Sequence, residues 1–355
     1  MKKRLVFPLF NGLVCALFGG VLGYYIFRIG TGILVGGLVG LGLGLLVELL
    51  LGGLGSTSWL YKRRVLLAVL LEIPLAIFVV GPYAFVLVET QPDHHPVCCE
   101  TPKDYGAASY EDVRIQTGDG VTLAGWYVPP QENPGPVIVL LHGGRADRRG
   151  TAWHTSQLIQ AGYGVLLYDQ RGLGESGGER VSIGWPDSYD LLAALDYLES
   201  RPEVDAGCLG AVGLSKGGHI ALLAAYQEPG RMKALWLDGI GANRIEDFPP
   251  LKNAGEQFAT LINAQIFKMA DWQQGQPGPP PFVQILAELD RPQMVIVASG
   301  LDEFESRASQ NYVKVAGANV QFWRIENAWH VGGSMVIPEE YSRRMLEFFQ
   351  TTLGE

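Results

Sequence analysis

A chain of 355 residues is long enough for one large domain and an appendage, and its net charge of −9 excludes the basic surface that nucleic-acid binding requires. Four cysteines are too few for a disulfide framework, and the adjacent pair Cys98 and Cys99 predicts no structural bridge. Residues 1–88 are nearly all apolar or glycine, whereas the remainder has the balance of a soluble enzyme.

Three apolar runs open the chain, at 5–27, 29–55 and 65–88. Each reaches the roughly 20 helical residues that cross a bilayer core, so 1–88 reads as three transmembrane helices. Length and the immediate second run argue against a cleaved signal peptide. Lys2, Lys3 and Arg4 precede the first run, and Lys62, Arg63 and Arg64 precede the third. The positive-inside rule then places both clusters in the cytoplasm and everything after the third helix on the other side, at the cell membrane. Gly32, Gly36, Gly40 and Gly44, with Gly19 and Gly23, make bare stripes on helix faces. Such stripes suit a tightly packed hairpin or a homo-oligomer contact. Glu48 and Glu72 each lie seven residues from a cytoplasmic helix end, roughly 10 Å deep, where they meet each other or the basic cluster in a structural role.

Residues 89–109 read as a polar, proline-containing linker. His94, His95, Cys98 and Cys99 are too crowded to surround one tetrahedral ion, so no metal is expected. From Tyr110 the pattern predicts strands at 113–116, 122–128, 137–141, 164–168, 208–213, 234–238, 294–298 and 320–325. Helices are expected at 153–161, 187–199, 216–227, 306–315 and 339–351. An early hairpin followed by strand–helix alternation implies an α/β domain over 110–355, with a mostly parallel sheet covered on both faces. Residues 241–291 break the rhythm and read as a small cap insertion carrying an amphipathic helix near Leu251 to Ala270. Its apolar residues Phe258, Leu261, Ile262, Ile266, Phe267 and Met269 either pack on the enzyme body or receive an apolar substrate.

G-x-S-x-G occurs at Gly213–Gly217 and at Gly174–Gly178. Only Ser215 stands between an apolar strand and a helix, the context that exposes a nucleophilic hydroxyl; Ser176 lies in a polar loop and reads as structural. A serine nucleophile needs a base and an orienting carboxylate. His330, after the last strand, is the expected base, and His219 is expected to pack near the nucleophile helix. Asp302, after the strand at 294–298, is the expected acid, with Glu303 and Asp238 as competitors. The amides of Gly144 and Lys216 are the expected oxyanion donors, with Arg145 as the alternative to Gly144. Arg145, Arg148 and Arg149 either bind an anionic substrate group or form a solvated loop.

The motifs at His142–Gly144, Asp169–Ser176, Gly213–Gly217, Gly300–Asp302 and the His330 loop resemble the α/β-hydrolase superfamily over residues 110–355. They are most similar to its serine aminopeptidase-like and monoacylglycerol-lipase-like branch. The resemblance implies an α/β-hydrolase fold and supports a structural role for the Asp169–Ser176 loop. The expected chemistry is acyl transfer to water without a cofactor, on an ester, most suitably one with an apolar acyl chain. A peptidase or amidase, or a non-catalytic extracytoplasmic binding domain, are the alternatives.

Overall fold

The computed structural model describes residues 58–182 and 184–354, together with Gly40, Gly42 and Gly44. The expected spans at 5–27 and 29–55, Glu48, and Gly19, Gly23, Gly32 and Gly36 lie outside the described residues. Gly40 and Gly44 are helical and buried, while Gly42 is helical and exposed. The chain divides into two compact units, Met1–Glu89 with Asn253–Gln276, and Thr90–Lys252 with Pro277–Glu355.

In the first unit α1 (Ser58–Leu75) runs through a π-helical turn, Ala76–Val80, into α2 (Gly81–Glu89). Pro82 has no N–H to continue the regular ladder, and the preceding Gly81 N–H reaches back to Ala76 O instead. Within this stretch Leu70–Glu89 is long and apolar enough to cross a membrane, at the place of the third expected span. Leu66, Leu70, Leu71 and Ile73 are exposed along it.

The second unit is built on one eight-stranded sheet. Its elements in chain order are β1 (Asp93–His94), β2 (Glu111–Gln116), β3 (Thr122–Val128), β4 (Gly135–Leu141), α3 (Ala152–Gln160), β5 (Gly164–Tyr168), β6 (Leu173–Gly174), α4 (Trp185–Glu199), β7 (Val204–Leu214), α5 (Lys216–Gln227) and β8 (Ala234–Asp238). The helix α6 (Ala254–Gln274) belongs to the first unit. Then follow α7 (Phe282–Glu288), β9 (Gln293–Ser299), α8 (Glu303–Val315), β10 (Val320–Ile325), α9 (Gly333–Val336) and α10 (Pro338–Leu353). The strand order is β10-β9-β8-β7-β4-β5-β3-β2, antiparallel only where β3 meets β2 and β5. Alternate residues feed two cores, as a pleated strand dictates: Val137, Val139 and Leu141 enter one face, Ile138 and Leu140 the other. All eight strands expected from sequence are present, four with the expected bounds and four with ends extended by one to four residues.

Two expected boundaries are corrected. Residues 90–109 are no free linker: β1 pairs in parallel with β6, and Val97, Tyr105 and Ala107 are buried in the core face beside Trp126. Their apolar surface is removed from water only by lying on the domain. The insertion is also narrower than 241–291. Phe282, Ile285 and Leu286 of α7 are fully buried core residues of the second unit, and only 253–276 leaves it. Within the first unit α6 packs along the apolar helix, with Phe258 edge-on to Phe78 and Trp272 edge-on to Tyr83, both at 5.8 Å between ring centres. That is neither of the two placements expected for its apolar face.

Candidate active site

Ser215 follows β7 in the middle of the sheet and begins the turn into α5. Its backbone sits at φ 52° and ψ −116°, a region costly for any residue with a Cβ. The flanking glycines let strand and helix touch. A Cβ on Gly217 would collide with Leu141 O, and one on Gly213 would lie 2.5 Å from Gly218 Cα. The strand-exit backbone holds the turn from the other side, where Ser215 N–H donates to Asp238 O at 2.7 Å.

His330 stands in the loop after β10. Its Nε2 is 2.9 Å from Ser215 Oγ, and its Nδ1 is 2.5 Å from a carboxylate oxygen. That carboxylate is Glu305, not the expected Asp302. The Asp302 side chain instead caps α8, its Oδ1 accepting the Glu305 N–H at 2.9 Å. Glu305, at the third position of the helix, is almost fully buried and carries one more methylene. Its Oε1 accepts the Ser299 N–H at 2.7 Å while Oε2 meets His330. The competitors are also placed elsewhere. Glu303 pairs with Lys252 at the surface, and Asp238 accepts from Tyr341 Oη at 2.6 Å, which in turn accepts from Trp236 Nε1. Burial pushes the Asp238 carboxyl up to about 7. The signal for Glu305 is present in Asp302-Glu-Phe-Glu305, the spacing of a capping box, in which the fourth residue folds back toward the helix start.

The loops carrying Glu305 and His330 are stitched together. Ser299 Oγ donates to Ala328 O at 2.6 Å, Leu301 N–H donates to Ala328 O at 3.2 Å, and Gly300 leaves no room for a Cβ against Glu326. The Glu305 carboxylate, chiefly through its hydrogen bond, raises the His330 pKa above the usual 6.5, although burial opposes it. The ring therefore loses its proton less readily than a free imidazole and becomes a base only above that raised value.

The His142–Gly143–Gly144 loop lies over the nucleophile turn. A Cβ on Gly143 would stand 3.7 Å from that of Ser215, and one on Gly144 4.0 Å from that of Lys216. Lys216 is the first residue of α5, so its N–H has no partner within the helix. Gln170 braces the loop, its backbone N–H donating to His142 Nε2 at 3.0 Å and its side chain to His142 O at 2.5 Å. Among the described residues three non-glycines have positive φ: Arg145, Ser215 and Val331. They fall one in each of the three loops that meet here, the distribution expected when backbone strain is held at a functional site.

Several other expectations are resolved by contacts. Ser176 is buried, accepting from Ala124 N–H at 2.9 Å and donating to Asp169 O at 2.5 Å, and is structural. His219 is partly buried, edge-on against Phe282, and desolvation lowers its pKa to about 4. Arg148 is neither a solvated residue nor a substrate ligand. It is buried, paired with Asp169 at 3.0 Å and Glu175 at 2.6 Å, and stacked 4.3 Å over Trp126. Arg149 pairs with Asp147 at 2.7 Å. His95 meets Asp147 at 3.1 Å and His94 meets Gly178 O, so the two histidines do not converge on the cysteines.

The sequence profile of the X-Pro dipeptidyl-peptidase (S15) family matches residues 119–331. An uncharacterised protein of Mycobacterium tuberculosis is 34% identical over 119 residues, 33% of this chain and 42% of its own. A putative hydrolase of Bacillus subtilis is 28% identical over 166 residues, 39% of this chain and 56% of its own. The chain thus spans about half the length of these two curated relatives. An alpha/beta hydrolase domain-containing protein of Arabidopsis thaliana is 25% identical over 269 residues, 68% of this chain and 79% of its own. In fold, an esterase of Pyrococcus furiosus superposes with a TM-score of 0.57 at 23% identity, covering 74% of this chain and 99% of that one.

Proposed function

The chain belongs to the X-Pro dipeptidyl-peptidase (S15) family and is a hydrolase of the α/β-hydrolase fold; on that premise we propose that it is a membrane-tethered serine hydrolase of carboxylic esters. The observation that carries the reading is the Ser215–His330–Glu305 relay at a strained strand–helix turn. His330 Nε2 takes the Ser215 proton as Oγ attacks the carbonyl carbon. Glu305 holds the Nδ1 proton and stabilises the imidazolium. The Gly144 and Lys216 N–H groups receive the oxyanion, His330 protonates the leaving group, and water releases the acyl group by the same route.

An apolar acyl chain is favoured by the surroundings of the base. Leu301 beside Asp302, Trp329 beside His330, and Met335 and Val336 on the short helix α9 that follows are exposed, with Trp329 at 70% and Met335 at 86%. Exposed apolar side chains close in sequence to the catalytic base suit an apolar ligand better than water. Nitrophenyl esters are expected to be cleaved faster as the acyl chain lengthens from acetate to octanoate, each buried methylene adding up to ~0.8 kcal/mol. Trp329→Ser should flatten that rise. Family membership favours a second reading, cleavage of amides in peptides. Proline-containing dipeptidyl amides hydrolysed well above every ester would establish it and overturn the first. The non-catalytic alternative predicts no fluorophosphonate labelling at Ser215.

The tether is the apolar stretch ending at Glu89. With both basic clusters in the cytoplasm and three crossings, the hydrolase unit lies outside. Alkaline phosphatase fused after Glu355 should be active in whole cells. An inactive fusion beside a fluorescent cytoplasmic-type reporter would reverse the topology.

A further inference from the structure

Cys98 and Cys99 take no part in the chemistry above, yet both are exposed on the segment laid against the hydrolase unit, and their sulfurs lie 2.8 Å apart. They line an open cleft of about 560 Å³ with Glu100, Ala146, Asp147, Arg149 and Gly150. The opposite wall of that cleft is the loop that continues from Gly144. Arg149 Nη1 donates to Cys98 O, and the same guanidinium grips Asp147 through Nε at 3.0 Å and Nη2 at 2.7 Å. Asp147 caps the 3₁₀ turn Arg148–Thr151 and also meets His95. Ala146 N–H returns to Gly143 O. One chain of polar contacts therefore joins the Cys98 carbonyl to the loop over the nucleophile.

We propose that Cys98 and Cys99 are a redox site that closes to a vicinal disulfide and, through Arg149, alters the loop bearing Gly143 and Gly144. The two exposed sulfurs stand within reach of one another, so that once one, here Cys98, has attacked an oxidant the other can close the ring. Cys98 gives up its proton and attacks a small disulfide oxidant of the glutathione type, forming a mixed disulfide and expelling a thiolate that takes up that proton as the first released thiol. Cys99 loses its proton and attacks the Cys98 sulfur, forming the intramolecular bond and releasing the second thiol. Two electrons and two protons pass from the protein to the oxidant, and a dithiol reductant reverses the exchange. The ring constrains the peptide between the two cysteines, which reorients the carbonyl that Arg149 holds.

The full chain in detergent is treated with oxidised glutathione or with dithiothreitol. The oxidised peptide carrying both cysteines should be lighter by two hydrogens and resist alkylation, reversibly. Two alkylatable thiols, or a glutathione on each sulfur, would overturn the site. Hydrogen exchange of the amides between Gly143 and Thr151 should differ severalfold between the two states, and the difference should vanish in the Cys98→Ser/Cys99→Ser variant. Equal exchange in both states would overturn the coupling. Neither readout depends on which substrate the enzyme takes.

Discussion

Replacing Ser215 with alanine is expected to lower kcat by about 10⁶-fold, the scale seen when a triad nucleophile is removed. The fold should survive. The turn is held by backbone, with Ser215 N–H on Asp238 O, and alanine meets the same backbone strain as serine because both carry a Cβ. His330 is about half exposed, so its Nε2 can turn to water when the hydroxyl is lost. Ser176→Ala provides the contrast. It removes a buried hydroxyl that joins Ala124 to Asp169 and should cost about 1–3 kcal/mol of stability while leaving turnover per folded molecule near normal. Esterase assays on both variants, each normalised by circular dichroism and thermal melting, separate the two roles. An active Ser215→Ala beside a folded but dead Ser176→Ala would sink the assignment of the nucleophile.

Glu305→Gln is expected to cost about 10⁴-fold in kcat, because an amide neither stabilises the imidazolium nor fixes the Nδ1–H tautomer. It should also move the pH profile. The wild-type base works only when neutral, and its pKa stands above 6.5 because of Glu305, so activity should fall as pH drops through that raised value. Without the carboxylate the residual activity should persist to lower pH, since the first cause of the upward shift is gone. Asp302→Asn should behave differently. Asparagine caps a helix about as well as aspartate, so α8 and Glu305 keep their places and the rate should change only a few-fold. Rates of both variants across pH 5–9 decide the matter. A collapse in Asp302→Asn with a near-normal Glu305→Gln would return the acid to position 302.

The parts of this site that are legible in the amino-acid sequence are the ones written locally. Ser215 is identifiable because a continuous apolar strand, a tight glycine-flanked turn and a helical run follow one another within about twenty residues. His330 is identifiable as a histidine leaving the last strand. Strand positions follow from continuous apolar runs, because each central strand is buried on both faces.

Tertiary structure decides what depends on reach and competition. Asp302 and Glu305 are three residues apart at one helix start, and sequence position favours the first. Only packing shows that the shorter side chain is consumed as the helix cap, while the longer one is buried with one oxygen on Ser299 N–H and the other on His330. Residues 90–109 read as a polar stalk because Val97, Tyr105 and Ala107 are scattered among polar neighbours, with no period to reveal their shared face. Arg148 reads as a solvated loop residue until Asp169, Glu175 and the Trp126 ring, all distant in sequence, close around it. The apolar face of α6 is evident from spacing alone, but a helix face does not name its partner. Here Phe78 and Tyr83, about 180 residues earlier in the chain, supply it.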